Sequence, residues 1–270
     1  FPPFRVAVLL ALCGVGMSLA IATKLTGVYA AAGLAILFIW YTILHFPKQQ
    51  TLRLFLFCIG FFVILPLVLY TLAYIAVVGA DGYNGLIDKT IKNTQYMLWY
   101  HSTLKAEHYY SSPYYEWPVI WMPLLDANDA VSATKVSAVS CMGNPAIWWV
   151  GIPCVLITFI QWIARRDGKA GFLTIGYLAQ YLPWVILGLS GGRITFIYHY
   201  FPAILFTILM MGYVIHLLLT RFPKSKIAIT VYLVIAIACF FVFYPVVSGF
   251  PVSREYGMHL RLLKDWILVL

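Results

Sequence analysis

The stretch IAITVYLVIAIACFFVFYPVVS at residues 227–248 contains no charged side chain over 22 positions. A helix needs about 20 mostly apolar residues to cross the hydrocarbon core of a bilayer. Seven stretches of this kind are present in the sequence: 6–23, 27–46, 54–79, 145–163, 171–189, 194–219 and 227–248. They lack the alternating pattern of barrel strands, so we expect helices that satisfy their own backbone hydrogen bonds. The sequence predicts an all-α polytopic membrane protein.

The composition excludes a soluble domain. Of the 270 residues, 63% are hydrophobic and only 10% are charged, whereas soluble domains carry about 25% charged residues. Four of the five cysteines lie in apolar runs without metal-ligand spacing, so we expect no metal site and no disulfide framework. The net charge of +9 is not concentrated in a basic patch interleaved with aromatic residues, and nucleic acid is therefore not an expected partner.

Lysine and arginine residues cluster in the loops on one side of the predicted spans. They are Arg5, Lys48, Arg53, Arg165, Arg166, Lys169, Arg221, Lys224 and Lys226. The positive-inside rule places this side in the cytoplasm, so the chain starts inside and ends outside. The predicted organisation is three spans in 1–79, an external loop in 80–144, four spans in 145–248 and an external tail in 249–270. The chain opens without Met, and we expect residue 1 to be a cut.

Two cations lie on the opposite side, at the predicted outer interface. Lys24 follows the first span and Arg193 precedes the sixth. Each could snorkel to lipid headgroups, or the two could share a bound phosphate, since arginine can bind two oxygens. On a continuous helix, Tyr200 would return to the face of Arg193, with His199 about 9 Å deeper. Tyr198 and Tyr200 also suit an interfacial aromatic belt.

The external segment contains a predicted helix followed by a proline-rich loop. From 84 to 105, apolar residues recur at helical spacing among polar ones, which is typical of an amphipathic interfacial helix. His101 and His108 would share a face if this helix continued. They are too far apart for one metal ion, and no third ligand is near in sequence.

The loop SSPYYEWPVIWMP at 111–123 has three prolines, which should break any helix and hold its aromatic residues in extended or turn conformations. Stacking of Tyr114, Tyr115 or Trp117 on a sugar, with Glu116 accepting hydroxyl groups, fits this composition. A belt that anchors the loop to headgroups fits it equally well. The candidate sugar-binding or acceptor-binding residues are His101, His108, Ser112, Glu116 and Trp117.

Five segments resemble, in order, the motifs of the protein O-mannosyltransferases, which are polyprenyl-phosphate-mannose-dependent glycosyltransferases of the GT-C class. The segments are ATKLTGVY (22–29), SSPYYEWPVIWMP (111–123), GNPAIWWVGIP (143–153), RITFIYHYFPAIL (193–205) and FFVFYPVVSGFPV (240–252). Leu25 stands where the family usually has Trp. The resemblance implies a GT-C helical bundle of about eleven spans, of which these are the last seven. Because 80–144 leaves no room for a β-trefoil insert, it also implies a bacterial-type enzyme.

The resemblance also implies the reaction and its donor site. The expected reaction is inverting transfer of mannose from a polyprenyl-phosphate carrier to Ser/Thr hydroxyls of secreted proteins, at the outer face of the bacterial plasma membrane. Contacts to the donor phosphate are implied for Lys24, Arg193, Tyr198, His199 and Tyr200. No cofactor is implied, because the lipid-linked sugar is a substrate.

The family's catalytic Asp-Glu pair lies upstream of all these motifs, and no adjacent Asp-Glu occurs in this chain. The chain alone is therefore expected to be inactive. The alternatives are a related transferase with another sugar or a lipid acceptor, a non-catalytic membrane subunit, and a secondary transporter. The transporter fits less well, because charges cluster at the outer interface rather than at the midplane and no internal repeat is found.

Overall fold

A computed structural model describes residues 4–45, 48–77, 84–104, 106–191 and 194–270. Within these residues, seven apolar helical stretches are long enough to cross a membrane: Phe4–Thr23, Leu25–Leu44, Thr51–Leu72, Pro145–Arg165, Gly168–Leu189, Ile197–Arg221 and Pro223–Ser248. They confirm the predicted multi-pass helical membrane fold. The third span ends at Leu72 rather than at 79, and the last two predicted positions of that span lie outside the described residues.

The chain divides into two compact units, residues 1–104 and 105–270. The helices of the first unit are α1 (Phe4–Thr23), α2 (Val28–His45), α3 (Lys48–Ile59), α4 (Leu65–Leu72) and α5 (Leu86–Thr103), with a π-helical turn at Gly60–Ile64 between α3 and α4. Helix α1 packs against α4 and this turn. Gly14 permits the approach, since a Cβ atom there would lie 2.7 Å from the Phe61 carbonyl oxygen.

Helix α5 confirms that a helix lies in the stretch 84–105, and its amphipathic character stays a prediction. Ile87, Ile91 and Leu98 are exposed, while Thr94 faces α4 and its hydroxyl lies 2.8 Å from that of Tyr70. The helix ends at Thr103, and the next residue is extended. The helix therefore does not continue to His108, and the condition under which His101 and His108 would share a helical face is not met. The location of α5 at a membrane interface stays a prediction.

The second unit is built around four long helices. They are α6 (Pro145–Arg165), α7 (Gly168–Leu189), α8 (Phe201–Arg221) and α9 (Lys226–Ser248), and α8 packs against both α6 and α7. The side chain of Asn144 caps α6 by accepting from Ala146 N at 3.0 Å, and its amide nitrogen donates to Ala236 O of α9 at 2.8 Å. This one asparagine therefore caps α6 and also joins the start of α6 to the middle of α9.

A small antiparallel sheet lies on the same unit. Strands β1 (Leu124–Ala130) and β2 (Lys135–Cys141) form a hairpin, and β3 (Val252–Ser253) pairs with β2 ahead of the short helix α10 (Arg254–His259). The sequence interpretation, which expected surface helices and no β-domain here, missed this sheet. The tail packs on strand β2: Leu268 is fully buried, and its carbonyl accepts from Ser140 Oγ at 2.9 Å.

Candidate functional site

The proline-rich loop forms a six-residue 3₁₀ helix, Tyr114–Val119, that begins after Pro113 and contains Pro118. The prediction that the prolines exclude a helix is wrong. Helices of this type rarely exceed three or four residues, because their hydrogen-bond geometry is poor. This one persists because other elements donate hydrogen bonds to its flanking carbonyl groups.

Two hydrogen bonds join the start of this helix to the segment before α8. Ser112 N donates to Thr195 O at 2.9 Å, and Thr195 Oγ1 donates back to Ser112 O at 2.9 Å. The indole Nε1 of Trp117 lies 3.1 Å from both the carbonyl and the hydroxyl oxygen of Ser112. Two of the family-like motifs, far apart in sequence, are thereby locked together.

Two further indoles bind the other end of the helix. Trp149 Nε1 donates to Val119 O at 2.9 Å, and Trp266 Nε1 donates to Ile120 O at 2.6 Å. Ile120 is fully buried and left-handed, with φ 54° and ψ 47°, a conformation that β-branched residues rarely adopt. These donors hold a strained turn directly after the 3₁₀ helix.

His199 lies inside an aromatic cluster. Its ring centroid is 4.0 Å from that of Trp184, 4.3 Å from Tyr198 and 5.9 Å from Trp117, which it stacks upon. Its Nδ1 lies 2.9 Å from Phe196 O. Only 3% of the residue is exposed, so the structure gives the ring a packing role between the 3₁₀ helix and α7.

Tyr200 is buried in the same layer, and its hydroxyl lies 3.0 Å from that of Tyr177. Residues 194–196 are not helical, and Ile197–Tyr200 form a 3₁₀ turn before α8. The continuous α-helix assumed from 193 to 200 is therefore wrong in 194–200, and the depth of about 9 Å expected for His199 relative to Arg193 no longer follows from helix geometry. Arg193 itself lies outside the described residues. The donor-phosphate roles of Tyr198, His199 and Tyr200 stay predictions.

An open pocket of ≈ 700 Å³ lies beside the 3₁₀ helix. Its lining includes Glu107, His108, Ser112, Tyr114, Trp184, Gly188 and Thr195. A Cβ atom on Gly188 would lie 2.5 Å from the Tyr114 ring. Glycine at this position therefore lets Tyr114 form the wall between the 3₁₀ helix and the end of α7. The pocket joins aromatic faces to a carboxylate, an imidazole and hydroxyl groups.

The pocket contains two of the candidate sugar or acceptor contacts, His108 and Ser112. His108 Nδ1 accepts from Tyr110 N at 3.3 Å, and its ring packs edge-on against Phe196. Trp117 is fully buried. A buried indole cannot also stack on a sugar, so the expected stacking role of Trp117 is wrong and the residue instead positions the loop.

Glu116 is half-buried in the middle of the 3₁₀ helix. Burial, and then the nearby charge of Asp265, raise the pKa of this carboxyl above its usual value. Both causes disfavour the charged form. Glu116 is thereby kept closer to protonation than an exposed glutamate, and its role with sugar or acceptor stays a prediction.

Two of the candidate binding residues, Lys24 and His101, lie in the first unit, residues 1–104. Lys24 is exposed in the short connection between α1 and the 3₁₀ turn Leu25–Gly27, with extended φ and ψ. Gly27 makes the connection tight, since a Cβ atom there would lie 2.7 Å from the backbone of Ala20. His101 lies in the last turn of α5. Their predicted binding roles stay predictions.

Several residues of this site were missed by the sequence interpretation. Thr195 and Trp149 lie within the family-like motifs, so the motifs themselves carried the signal. Trp184, Gly188 and Trp266 lie outside them and gave no comparable signal. In the part of the chain that the structure describes, no three His, Cys, Asp or Glu side chains come close enough to hold a metal ion.

Comparisons with known proteins match the part of the chain that contains most of these motifs. A family model described as the C-terminal four TMM region of protein-O-mannosyltransferase matches residues 86–266. The polyprenol-phosphate-mannose–protein mannosyltransferase of Mycobacterium tuberculosis is 27% identical over 188 residues, covering 58% of this chain and 34% of that protein. The dolichyl-phosphate-mannose–protein mannosyltransferase 6 of Saccharomyces cerevisiae is 26% identical over 177 residues, covering 58% of this chain and 22% of that protein.

A solved structure has a similar fold. The S. cerevisiae protein O-mannosyltransferase Pmt1-Pmt2 complex bound to the sugar donor matches with a TM-score of 0.55 and 21% identity, over 68% of this chain and 27% of that one. This likeness concerns the fold. The chain spans about a third of the length of the mycobacterial relative.

Proposed function

The chain belongs to the protein O-mannosyltransferase family, and from that membership we propose that the complete protein transfers mannose from a polyprenyl-phosphate carrier to Ser/Thr hydroxyl groups of proteins. The observation that carries the proposal is the Ser112–Thr195 junction. It brings the 111–123 and 193–205 motifs together around one pocket that has aromatic and hydroxyl groups. The named relatives favour this activity over the secondary transporter.

In the proposed reaction a carboxylate takes the proton of the acceptor hydroxyl. The acceptor oxygen then bonds to the anomeric carbon of mannose, and the bond from that carbon to the phosphate oxygen breaks. The products are a glycosylated protein of inverted anomeric configuration and polyprenyl phosphate. The catalytic carboxylate is proposed to lie outside this chain, in the length of the relatives that the chain does not span.

Cations and polar groups of this chain would act on the donor side. We assign Arg193 to the leaving phosphate, where negative charge develops in the transition state, and we assign Lys24 and Tyr198 to the same ligand group because the family motifs contain them. His199 and Tyr200 are buried and would position this segment. Ser112, His108 and Glu116 would handle the sugar or the acceptor.

The pocket lies where α7 ends, opposite the turn between α6 and α7 around which Arg165, Arg166 and Lys169 lie. The positive-inside rule puts that turn in the cytoplasm. We therefore propose that the pocket faces the outside of a bacterial plasma membrane, where secreted proteins emerge.

Membranes from cells that express the complete reading frame test the proposal. They are incubated with polyprenyl-phosphate-[³H]mannose or polyprenyl-phosphate-[³H]glucose and a Ser/Thr peptide, and label released from the peptide by β-elimination is counted. The proposal predicts alkali-labile transfer from the mannose donor. Label that enters lipid, or transfer from the glucose donor alone, would instead identify the related transferase with another acceptor or sugar.

A further inference from the structure

We infer that the tail, residues 249–270, is a functional part of the site, with Trp266 as the positioning residue that holds the 3₁₀ helix Tyr114–Val119 in place. The inference deepens the proposed function and rests on it for the kinetic test. Trp266 is fully buried, and its indole N–H donates to Ile120 O across 146 positions of sequence. At 2.6 Å this contact is short for a nitrogen donor.

The bonded carbonyl belongs to one of the two non-glycine residues with positive φ in the described part of the chain, the other being Arg166. Ile120 is left-handed, and non-glycine residues keep that conformation only when their surroundings impose it. The last carbonyl groups of any helix lack partners inside the helix. Here the indoles of Trp149 and Trp266 supply donors to two consecutive carbonyls, those of Val119 and Ile120. The two tryptophans thus fix the orientation of the end of the 3₁₀ helix through the carbonyl groups of Val119 and Ile120.

The consequence reaches the pocket through the short helix. Tyr114, its first residue, lines the pocket, and Glu116 follows two positions later. Because the helix has only six residues, a rotation at Ile120 displaces all of them together. Trp266 acts on the pocket through its hydrogen bond to Ile120.

The tail is anchored firmly enough to impose this position. Leu270 N donates to Asn128 Oδ1 at 2.9 Å, and Leu268 O accepts from Ser140 Oγ at 2.9 Å. The Trp266 ring packs against Phe243 of α9, with centroids 5.9 Å apart. Both strands of the hairpin and helix α9 therefore contact the segment that carries Trp266.

The test compares three Trp→Phe variants of the complete protein, each purified in detergent. Trp266→Phe and Trp149→Phe keep an aromatic ring and remove one N–H donor each. Trp162→Phe is the matched control, since Trp162 packs edge-on against Phe159 near the other end of α6. Mannosyl transfer gives kcat and KM, and hydrogen–deuterium exchange of peptides covering 106–123 reports the loop directly.

For Trp266→Phe and Trp149→Phe we expect kcat to fall about five- to tenfold, with KM within twofold of wild type and faster exchange in 114–121. Trp162→Phe should match wild type in both measurements. A general loss of folding would speed exchange throughout the chain. In that case Ser140→Ala, which removes a single anchor of the tail, replaces Trp266→Phe and must show the same localised exchange.

The outcomes separate the two proposals. Wild-type protein without transfer, but with localised exchange in Trp266→Phe, overturns the proposed function and keeps the positioning role. If wild type transfers mannose while Trp266→Phe and Trp149→Phe behave like Trp162→Phe in exchange and kcat, the positioning role is overturned. An equal fall in kcat for all three variants would also overturn it.

Discussion

Ser112 and Thr195, 83 positions apart, are joined by two hydrogen bonds of 2.9 Å that run in opposite directions, one from Ser112 N to Thr195 O and one from Thr195 Oγ1 to Ser112 O. Both residues line the pocket. The wall of the pocket therefore depends on one hydroxyl group as well as on the backbone.

Removing that hydroxyl should reduce transfer. In Thr195→Val the Ser112 carbonyl loses a donor, and a lost hydrogen bond is worth about 1 kcal/mol, so we expect transfer to fall about fivefold. Thr195→Ser should keep most of the activity. Thr230→Val is the control, since the Thr230 hydroxyl bonds only within exposed α9. Initial rates that are equal for Thr195→Val and Thr230→Val would refute the role of the junction.

A methyl group at Gly188 should disturb the pocket. The added Cβ would lie 2.5 Å from the Tyr114 ring, so Tyr114 must move from the wall. We expect Gly188→Ala to raise KM or lower kcat by about tenfold or more, the cost of overpacking being about 1–3 kcal/mol.

The control for this change is Gly212→Ala in α8, where a Cβ atom would meet nothing within 4 Å. Alanine in a helix interior is favoured over glycine by about 1 kcal/mol, so Gly212→Ala should be at least as thermostable as wild type and equally active. Normal kinetics for Gly188→Ala would show that Tyr114 is not needed in its present position.

The raised pKa of Glu116 predicts a pH dependence of stability. A carboxyl whose pKa is higher in the folded protein binds more protons there, so folding stability falls as pH rises from about 4.3, the unfolded value, through the folded pKa. As the pH rises over this window, the melting temperature of wild type should therefore fall relative to that of Glu116→Gln. Asp265→Asn should reduce that fall, because the Asp265 charge helps to raise the pKa.

Glu255→Gln, at an exposed carboxyl of α10, serves as the control for the titration. Melting temperatures recorded from pH 4 to pH 7 decide the matter. A difference between wild type and Glu116→Gln that stays constant over this range would contradict the assigned environment of Glu116.

Asp167 should support the fold without affecting the chemistry. Its Oδ1 caps α7 by accepting from Ala170 N at 2.9 Å, and its Oδ2 accepts from the Tyr213 hydroxyl at 3.0 Å. The Ala170 N–H, and then the Tyr213 hydroxyl, hold the pKa of this carboxyl below its usual value. The stability it contributes is present above the unfolded pKa of about 3.9 and is lost as pH falls through the folded pKa.

We expect Asp167→Ala to lower the free energy of unfolding by about 1–2 kcal/mol at neutral pH. Tyr213→Phe keeps the cap and should cost about half as much. Transfer per folded molecule should match wild type in both, because the pocket lies at the other end of α7. A specific loss of kcat in Asp167→Ala would show that this turn affects the site.

The spans could be read from the sequence because lipid imposes one rule, a long apolar run, on every one of them. The hairpin Leu124–Cys141 could not, since its strand KVSAVSC is buried by α9 and by a tail more than 100 positions away, through contacts such as Ser140 with Leu268. Local patterns do not encode such a partner.

The candidate site, too, could be predicted from the sequence only in part. The motifs located Ser112, Glu116 and the 193–205 segment, because residue types alone mark them. The sequence could not predict which of these side chains are exposed, because exposure depends on packing between distant segments. Trp117 and His199 bury against each other, whereas sequence reasoning placed both in contact with ligands. Ile120, whose left-handed backbone needs outside donors, carries no signal in its residue type.

The central claim is that this chain supplies the donor side of a mannosyl transfer reaction. It is tested most directly by transfer from polyprenyl-phosphate-[³H]mannose to a Ser/Thr peptide, measured for the complete protein, for Arg193→Ala and for Arg221→Ala. Arg221 is exposed at the last position of the span Ile197–Arg221, which Arg193 precedes in sequence. We predict transfer by wild type and Arg221→Ala, and a fall of about a hundredfold in Arg193→Ala at equal protein level. Well-expressed wild-type protein that transfers no mannose, or Arg193→Ala at the wild-type rate, would contradict the account.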